Sequence, residues 1–221
     1  MSLDHLVREP DGEPAGALIL NHGRGTDERD LYDLVDVLDP DRRLLGIAPG
    51  APLTNIPPGG RHWYVVPRVG YPDPETFHHS YRLLTGFLDE TIAERGLEWD
   101  RAVIGGFSMG AVMSYAVALG ERRPSPAAIV ALSGFVPTVE GWRPELDGRA
   151  GLSVLIHHGR RDPIIEVEFG RAAAELLREG GLDVTYLETD AGHALPPELV
   201  PRLREFVARS LEVTGLGRRA K

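Results

Sequence analysis

Cysteine is missing from all 221 residues, which removes disulfides, thiolate zinc sites and a cysteine nucleophile from consideration. No run of eighteen apolar residues occurs, so no segment is long enough to cross a bilayer as a helix. Residues 1–14 are charged and turn-rich and lack the apolar centre of a signal peptide, so a cytoplasmic location is the expectation. An excess of basic charge is absent too. The formal net charge of −9 argues against a nucleic-acid partner and against stable membrane association through a polybasic surface. Arg218, Arg219 and Lys221 read as a solvated end. The dinucleotide fingerprint, the Walker A loop and H-E-x-x-H are all missing. The paired histidines at 78–79 and 157–158 are adjacent and cannot chelate as an i, i+4 helical pair does. Neither a cofactor nor a metal is expected.

What is present centres on Ala102–Leu119, AVIGGFSMGAVMSYAVAL. A short apolar run meets Gly106-Phe107-Ser108-Met109-Gly110, and an Ala-rich run with helical spacing follows. Strand, sharp turn and helix with serine at the apex is the nucleophile elbow G-x-S-x-G. The pentapeptide alone arises easily in a glycine-rich chain, and its flanks give it weight. Gly106 and Gly110 have no Cβ to collide where strand and helix pass closely. The helix beginning near Met109 aims its N-terminal N–H groups at charge developing beside the serine.

The rest of the chain alternates apolar strands with amphipathic helices. Strands are read at 4–8, 17–20, 43–48, 127–132, 152–157 and 183–188, and helices at 30–38, 75–95, 166–179 and 198–211. Most strands are apolar throughout, as in a parallel sheet covered on both faces. The reading is one domain over 1–221, a mostly parallel, doubly wound α/β sheet. Long connections at 49–72 and 133–150 are candidate binding loops.

In such sheets the loops at the carboxyl ends of the strands build the site. Those after Leu20, Ile104, Ile156 and Glu188 each carry a candidate. A serine nucleophile needs a base, and the base needs a carboxylate to hold its tautomer and stabilise the imidazolium. Asp162 and His193 follow Ser108 in the order of α/β-hydrolases. His157 and His158 precede Asp162 and break that order, His22 shapes a turn, and His5, His78 and His79 lie away from the rim. Glu166, Glu168 and Asp190 compete with Asp162, which is favoured by its place just past a strand and by Pro163 after it. Two N–H donors are needed for the oxyanion. The backbone amide of Met109 is one, and that of Arg24, in His22-Gly23-Arg24-Gly25, is the other.

With these residues placed, the chain resembles the phospholipase/carboxylesterase family of α/β-hydrolases, which includes the acyl-protein thioesterases. The resemblance rests on LNHGRGTDERDL (Leu20–Leu31), GGRHWY (Gly59–Tyr64), GGFSMG (Gly105–Gly110), HHGRRDPII (His157–Ile165) and AGHALPPE (Ala191–Glu198). It implies an α/β-hydrolase fold without a large cap domain and the triad Ser108, Asp162 and His193. It also implies an oxyanion hole at Arg24 and Met109, and a Trp63 loop lining the substrate cleft. Arg61, Trp63 and Tyr64 are accordingly the expected substrate contacts. Asn21 stands where the family commonly has an apolar residue, Met109 where it often has Gln, and Val65–Tyr71 diverges. These differences bear on the substrate rather than the mechanism. Dienelactone hydrolases use a cysteine nucleophile, from which Ser108 separates this chain.

The expected activity is hydrolysis of small or short-acyl carboxylic esters, extending to thioesters, with a small-molecule ester as partner. Lysophospholipase or acyl-protein thioesterase activity is the alternative at the substrate level. Acyl transfer and a non-catalytic binding module are the alternatives of another class. Arg24, Arg61, Arg160 and Arg161 fall on rim loops and raise the question of an anionic substrate. Oligomeric state has no signature in the sequence.

Overall fold

Seven strands form among the described residues, the central ones from aliphatic and β-branched runs and the two edge strands from mixed ones. They are β1 (His5–Arg8), β2 (Gly16–Asn21), β3 (Leu44–Pro49), β4 (Ala102–Phe107), β5 (Ala128–Leu132), β6 (Ser153–Gly159) and β7 (Asp183–Thr189). The computed structural model describes residues 3–216, with side chains as far as 212. Arg218, Arg219 and Lys221 lie outside the described residues. One sheet contains all seven strands in the order β1-β3-β2-β4-β5-β6-β7. Every pairing is parallel except β1 with β3, which is antiparallel at the sheet edge.

Among the described residues, five α-helices cover the sheet: α1 (Tyr32–Leu38), α2 (Pro74–Glu94), α3 (Met109–Leu119), α4 (Val167–Glu179) and α5 (Val200–Leu216). Side chains of the central strands alternate between the two faces. Leu18, Leu20, Val103 and Val130 meet α1 and α5 through Val35, Leu38, Leu203 and Val207. Ala17, Ile19, Ile104 and Ile129 point the other way and meet α2, α3 and α4. All eleven residues of α3 are buried, which explains a composition dominated by Ala, Val and Met and free of charge. Capping sets the start of α2, where the Asp73 side chain accepts from the Thr76 amide at 3.0 Å and Pro74 occupies the first turn.

Several boundaries move from their sequence-based places for local reasons. α1 begins at Tyr32 because residues 27–31 close turns, with the Asp30 amide on the Asp27 carbonyl and the Tyr32 amide on the Arg29 carbonyl. α5 begins at Val200 because Pro196 and Pro197 lead into a 3-10 turn at Pro197–Leu199. β7 alternates in exposure along its first half, as an edge strand does, rather than being apolar throughout.

The chain leaves β2 for β3 on one side and returns to β4 on the other, so the loops after β2 and β4 part company. That reversal of strand order opens a crevice at the carboxyl edge. No helix among the described residues is long and apolar enough to cross a membrane.

The ends of β6 and β7 carry the groups that make folding sensitive to acid. The His157 ring is fully enclosed, with Nε2 on the Thr189 hydroxyl at 3.0 Å and Nδ1 unpartnered. Burial, aided by neighbouring His158, pushes it down to about 4 from the ordinary 6.5. Glu188 is held at about 2, below the ordinary 4.5, chiefly by its hydrogen bond from Arg171. Between pH 6.5 and 4 the unfolded chain takes up a proton at His157 that the folded chain refuses, so stability falls as pH drops. The Glu188 contribution is lost in a lower window, as pH falls from 4.5 to 2. Urea midpoints measured against pH are predicted to fall less steeply in the upper window for His157→Gln and in the lower window for Glu188→Gln. An unchanged upper slope in His157→Gln would overturn the assignment.

Candidate active site

Ser108 occupies the single-residue turn between β4 and α3, at φ 55° and ψ −118°. That backbone is strained for a residue with a side chain. Surrounding bonds hold it there. The Ser108 amide donates to the Leu132 carbonyl at 2.8 Å, and its own carbonyl accepts from Ala111 at 3.0 Å. The flanking glycines are required by a backbone approach. A Cβ on Gly110 would lie 1.9 Å from the Asn21 carbonyl oxygen, and one on Gly106 2.5 Å from the same atom. Beneath the turn, the Asn21 side-chain Nδ2 donates to the Ser114 hydroxyl at 2.9 Å, which donates to the Gly110 carbonyl at 2.8 Å. The polar residue at 21 thus serves the elbow from below.

The three residues named from the sequence meet. His193 Nε2 is 2.9 Å from Ser108 Oγ, and its Nδ1 is 2.7 Å from Asp162 Oδ2. They converge although 85 and 31 residues separate the partners, because the β6–β7 ladder continues past the strands. The Arg160 amide donates to the Thr189 carbonyl at 2.8 Å and the Arg161 amide to the Ala191 carbonyl at 3.1 Å. A Cβ at Gly159 would sit 2.3 Å from the Gly192 oxygen, so the two loops lie backbone against backbone. Phe107 packs on the His193 ring with centroids 4.7 Å apart.

Asp162 is built to stay ionised. Burial pushes its carboxyl upward, but hydrogen bonds from His193 and the Ile165 and Ile164 amides outweigh that and hold it below the usual range. Those amides lie 3.0 and 2.9 Å from Oδ1. An ionised carboxylate only accepts, so the proton of His193 sits on Nδ1 and the Ser108 hydroxyl donates to Nε2. His158, weighed as an alternative base, is sealed beneath the site with Nε2 donating to the Ile165 carbonyl at 2.8 Å.

The proposed oxyanion donors flank the serine. The Met109 amide opens α3 and has no intrahelical acceptor. The Arg24 amide follows Gly23, where an added Cβ would be 3.8 Å from the Ser108 Cβ. Neither amide donates to a backbone carbonyl among the described residues.

The expected substrate contacts are corrected. Trp63 is 0% exposed and Tyr64 3%, so both face inward and the indole cannot line a cleft wall. Burial also drives the Tyr64 hydroxyl well above its ordinary range. Arg61 is a strut: it pairs with Asp4, with Glu28 at 3.2 Å, and donates to the Ala51 carbonyl at 3.1 Å. Arg160 is met by Glu188 at 3.0 Å and Asp190 at 2.8 Å. Of the four rim arginines, Arg24 donates to the Pro57 carbonyl and Arg161 to the Asp190 carbonyl. The basic mouth is reduced accordingly.

Two positions escaped the sequence reading. Ser133 follows β5 at φ 51°, fully buried beside the elbow, and donates its amide to the His157 carbonyl at 2.8 Å. The polar residue at the end of an apolar strand was its signal. Ala51, after β3, donates its amide to His22 Nε2 at 3.0 Å and had no signal. Among the described residues, no group of three or more histidine, aspartate or glutamate side chains is placed to hold a metal ion.

A phospholipase/carboxylesterase family model matches residues 4–211. The chain belongs to that family. Acyl-protein thioesterase 1 of Debaryomyces hansenii is 34% identical over 159 residues, 67% of each chain. Esterase YpfH of Escherichia coli is 28% identical over 206 residues, 88% of this chain and 83% of that one. The Bacillus cereus carboxylesterase structure superposes with a TM-score of 0.82 at 23% identity, covering 94% of each chain. Esterase PE8 superposes at 0.80 and 24% identity, covering 95% of this chain and 99% of that one. The structural neighbours show the fold, an α/β-hydrolase with no large cap.

Gly110→Ala is predicted to destabilise the protein by more than about 2 kcal/mol, since the added methyl meets backbone that cannot repack. Urea denaturation measures it, and a loss below about 0.5 kcal/mol would contradict the close approach.

Proposed function

We propose that this protein is a serine hydrolase of carboxylic esters, acting on small or short-acyl substrates through an acyl-enzyme on Ser108. The observation that carries the proposal is the continuous hydrogen-bonded chain from Ser108 Oγ through His193 to Asp162, at 2.9 and 2.7 Å. Ser108 Oγ attacks the acyl carbon while its proton passes to His193 Nε2. Asp162 holds the imidazole in one tautomer and offsets the charge that forms on it. The carbonyl oxygen, now an anion, takes hydrogen bonds from the Arg24 and Met109 amides. Collapse expels the alkoxide, which His193 protonates. Water then repeats the sequence on the acyl-enzyme, returning Ser108 and releasing the acid. No cofactor enters these steps.

Family membership supports the hydrolase reading, and the acyl-protein thioesterase relative brings thioesters within the same proposal. A thiolate leaves the same tetrahedral centre without needing as much protonation. The short-acyl preference is supported by the absence of a large cap and by the inward-facing Trp63 and Tyr64 of the 49–72 loop.

An acyl-length series of nitrophenyl esters with matched thioesters tests the substrate class, and kcat/KM is predicted to peak at short chains. Ser108→Ala and Asp162→Asn are each predicted to lower kcat by about 10⁴-fold or more, with little change in the urea midpoint. A fluorophosphonate should label wild type and not Ser108→Ala. Wild-type turnover in Ser108→Ala refutes the mechanism, and a second nucleophile captured in the product in place of water would identify acyl transfer.

A further inference from the structure

We propose that Trp63, which touches no substrate, is a positioning residue that holds the two oxyanion donors at one spacing. The inference rests on the esterase reading and adds a residue to it.

A trans peptide group is planar, so the N–H of one residue points opposite to the carbonyl of the residue before. The direction of the Arg24 amide is therefore set by whatever holds the Gly23 carbonyl. His22 Nδ1 donates to that oxygen at 2.7 Å, and the Thr26 hydroxyl lies 3.0 Å from it. The imidazole cannot swing away, because Nε2 accepts the Ala51 amide at 3.0 Å. One ring nitrogen donates and the other accepts, which requires the neutral ring. Burial agrees, pushing His22 below its ordinary range.

Trp63 closes this arrangement from both of its N–H groups. Its indole nitrogen donates to the His22 carbonyl at 3.0 Å, with the two rings 5.4 Å apart. Its main-chain amide donates to the Met109 sulfur at 3.2 Å. Met109 owns the second oxyanion amide. One fully buried residue thus binds the loop that carries one donor and the side chain of the residue that carries the other. A thioether is a weak acceptor, so the Met109 link works largely through packing. The indole–carbonyl bond is the stronger half.

The test measures Trp63→Phe, which keeps an aromatic ring but removes the indole N–H and some buried volume, and Met109→Leu, which nearly conserves volume and removes the sulfur. Turnover of a short nitrophenyl ester is expressed per active site titrated with a fluorophosphonate. Affinity is measured for an alkyl boronic acid, to whose boron the Ser108 oxygen adds as its proton passes to His193, giving a tetrahedral adduct. Urea midpoints are recorded alongside. Removing a whole oxyanion donor costs about 10²–10³ in kcat, and a displaced one less. Trp63→Phe is expected to lower kcat per site about 10- to 100-fold, leave KM within about twofold, and weaken the boronic acid in proportion. Met109→Leu is expected to show the same pattern at about threefold, and it decides the matter if Trp63→Phe does not fold. Unchanged kcat per site and boronic-acid affinity overturn the inference even if the urea midpoint falls, since that marks packing alone. Wild type that neither turns over nor takes the label would instead sink the esterase reading, and this inference with it.

Discussion

The closest approach around the site is made by backbone. The carbonyl of Asn21, at the end of β2, presses against Gly106 and Gly110 on either side of Ser108. Everything at the site is measured from that contact. It sets how near β2 and the elbow come, and so places the loop after β2 beside the serine. It requires two glycines at fixed spacing. It leaves the Asn21 side chain beneath the turn, where it donates to the Ser114 hydroxyl, which in turn donates to the Gly110 carbonyl. The strain at Ser108 is sustained by the same packing, with amide and carbonyl both bonded to neighbouring elements.

A second economy appears around the rim. Side chains that look available for a ligand in the sequence are used to fasten loops. Arg61 joins Asp4, Glu28 and the Ala51 carbonyl, and Arg160 joins Glu188 and Asp190. Trp63 turns inward and spends both N–H groups on His22 and Met109. In the proposed mechanism the chemistry is presented by main-chain amides and three side chains, and Trp63, Arg61 and Arg160 around them fasten loops. A hydrolase with little covering the cleft needs such fastening, because no cap holds its loops from above.

Much was legible in one dimension. The parallel, two-faced sheet followed from strands apolar throughout, since residues facing helices on both sides have no polar positions to alternate. The triad followed from chain order and from the rule that sites lie past the carboxyl ends of strands. Asp162 and His193 fell within a few residues of strand ends, so their convergence was a matter of topology. The loops carrying the proposed oxyanion amides, of Arg24 and Met109, were legible as strand-end loops for the same reason. Less could be read where the sheet departs from its rule: the antiparallel β1, and β7, whose edge position leaves alternate residues exposed at its start. The fate of Trp63, Tyr64 and Arg61 could not be read at all, because a loop of some twenty residues has no period from which to tell inside from outside.

Pattern alone therefore determined the fold class, the elbow and the order of the three side chains that meet at the proposed active site. Each depends on local spacing or on a strand end, and both are written in the chain. Tertiary structure decided which groups surround the chemistry and what they hold. Whether an arginine meets a substrate or a glutamate, and whether an indole lines a cleft or bonds a carbonyl, depends on residues dozens of positions away. Arg61 finds Asp4 and Trp63 finds Met109 only because the sheet brings their loops to one edge.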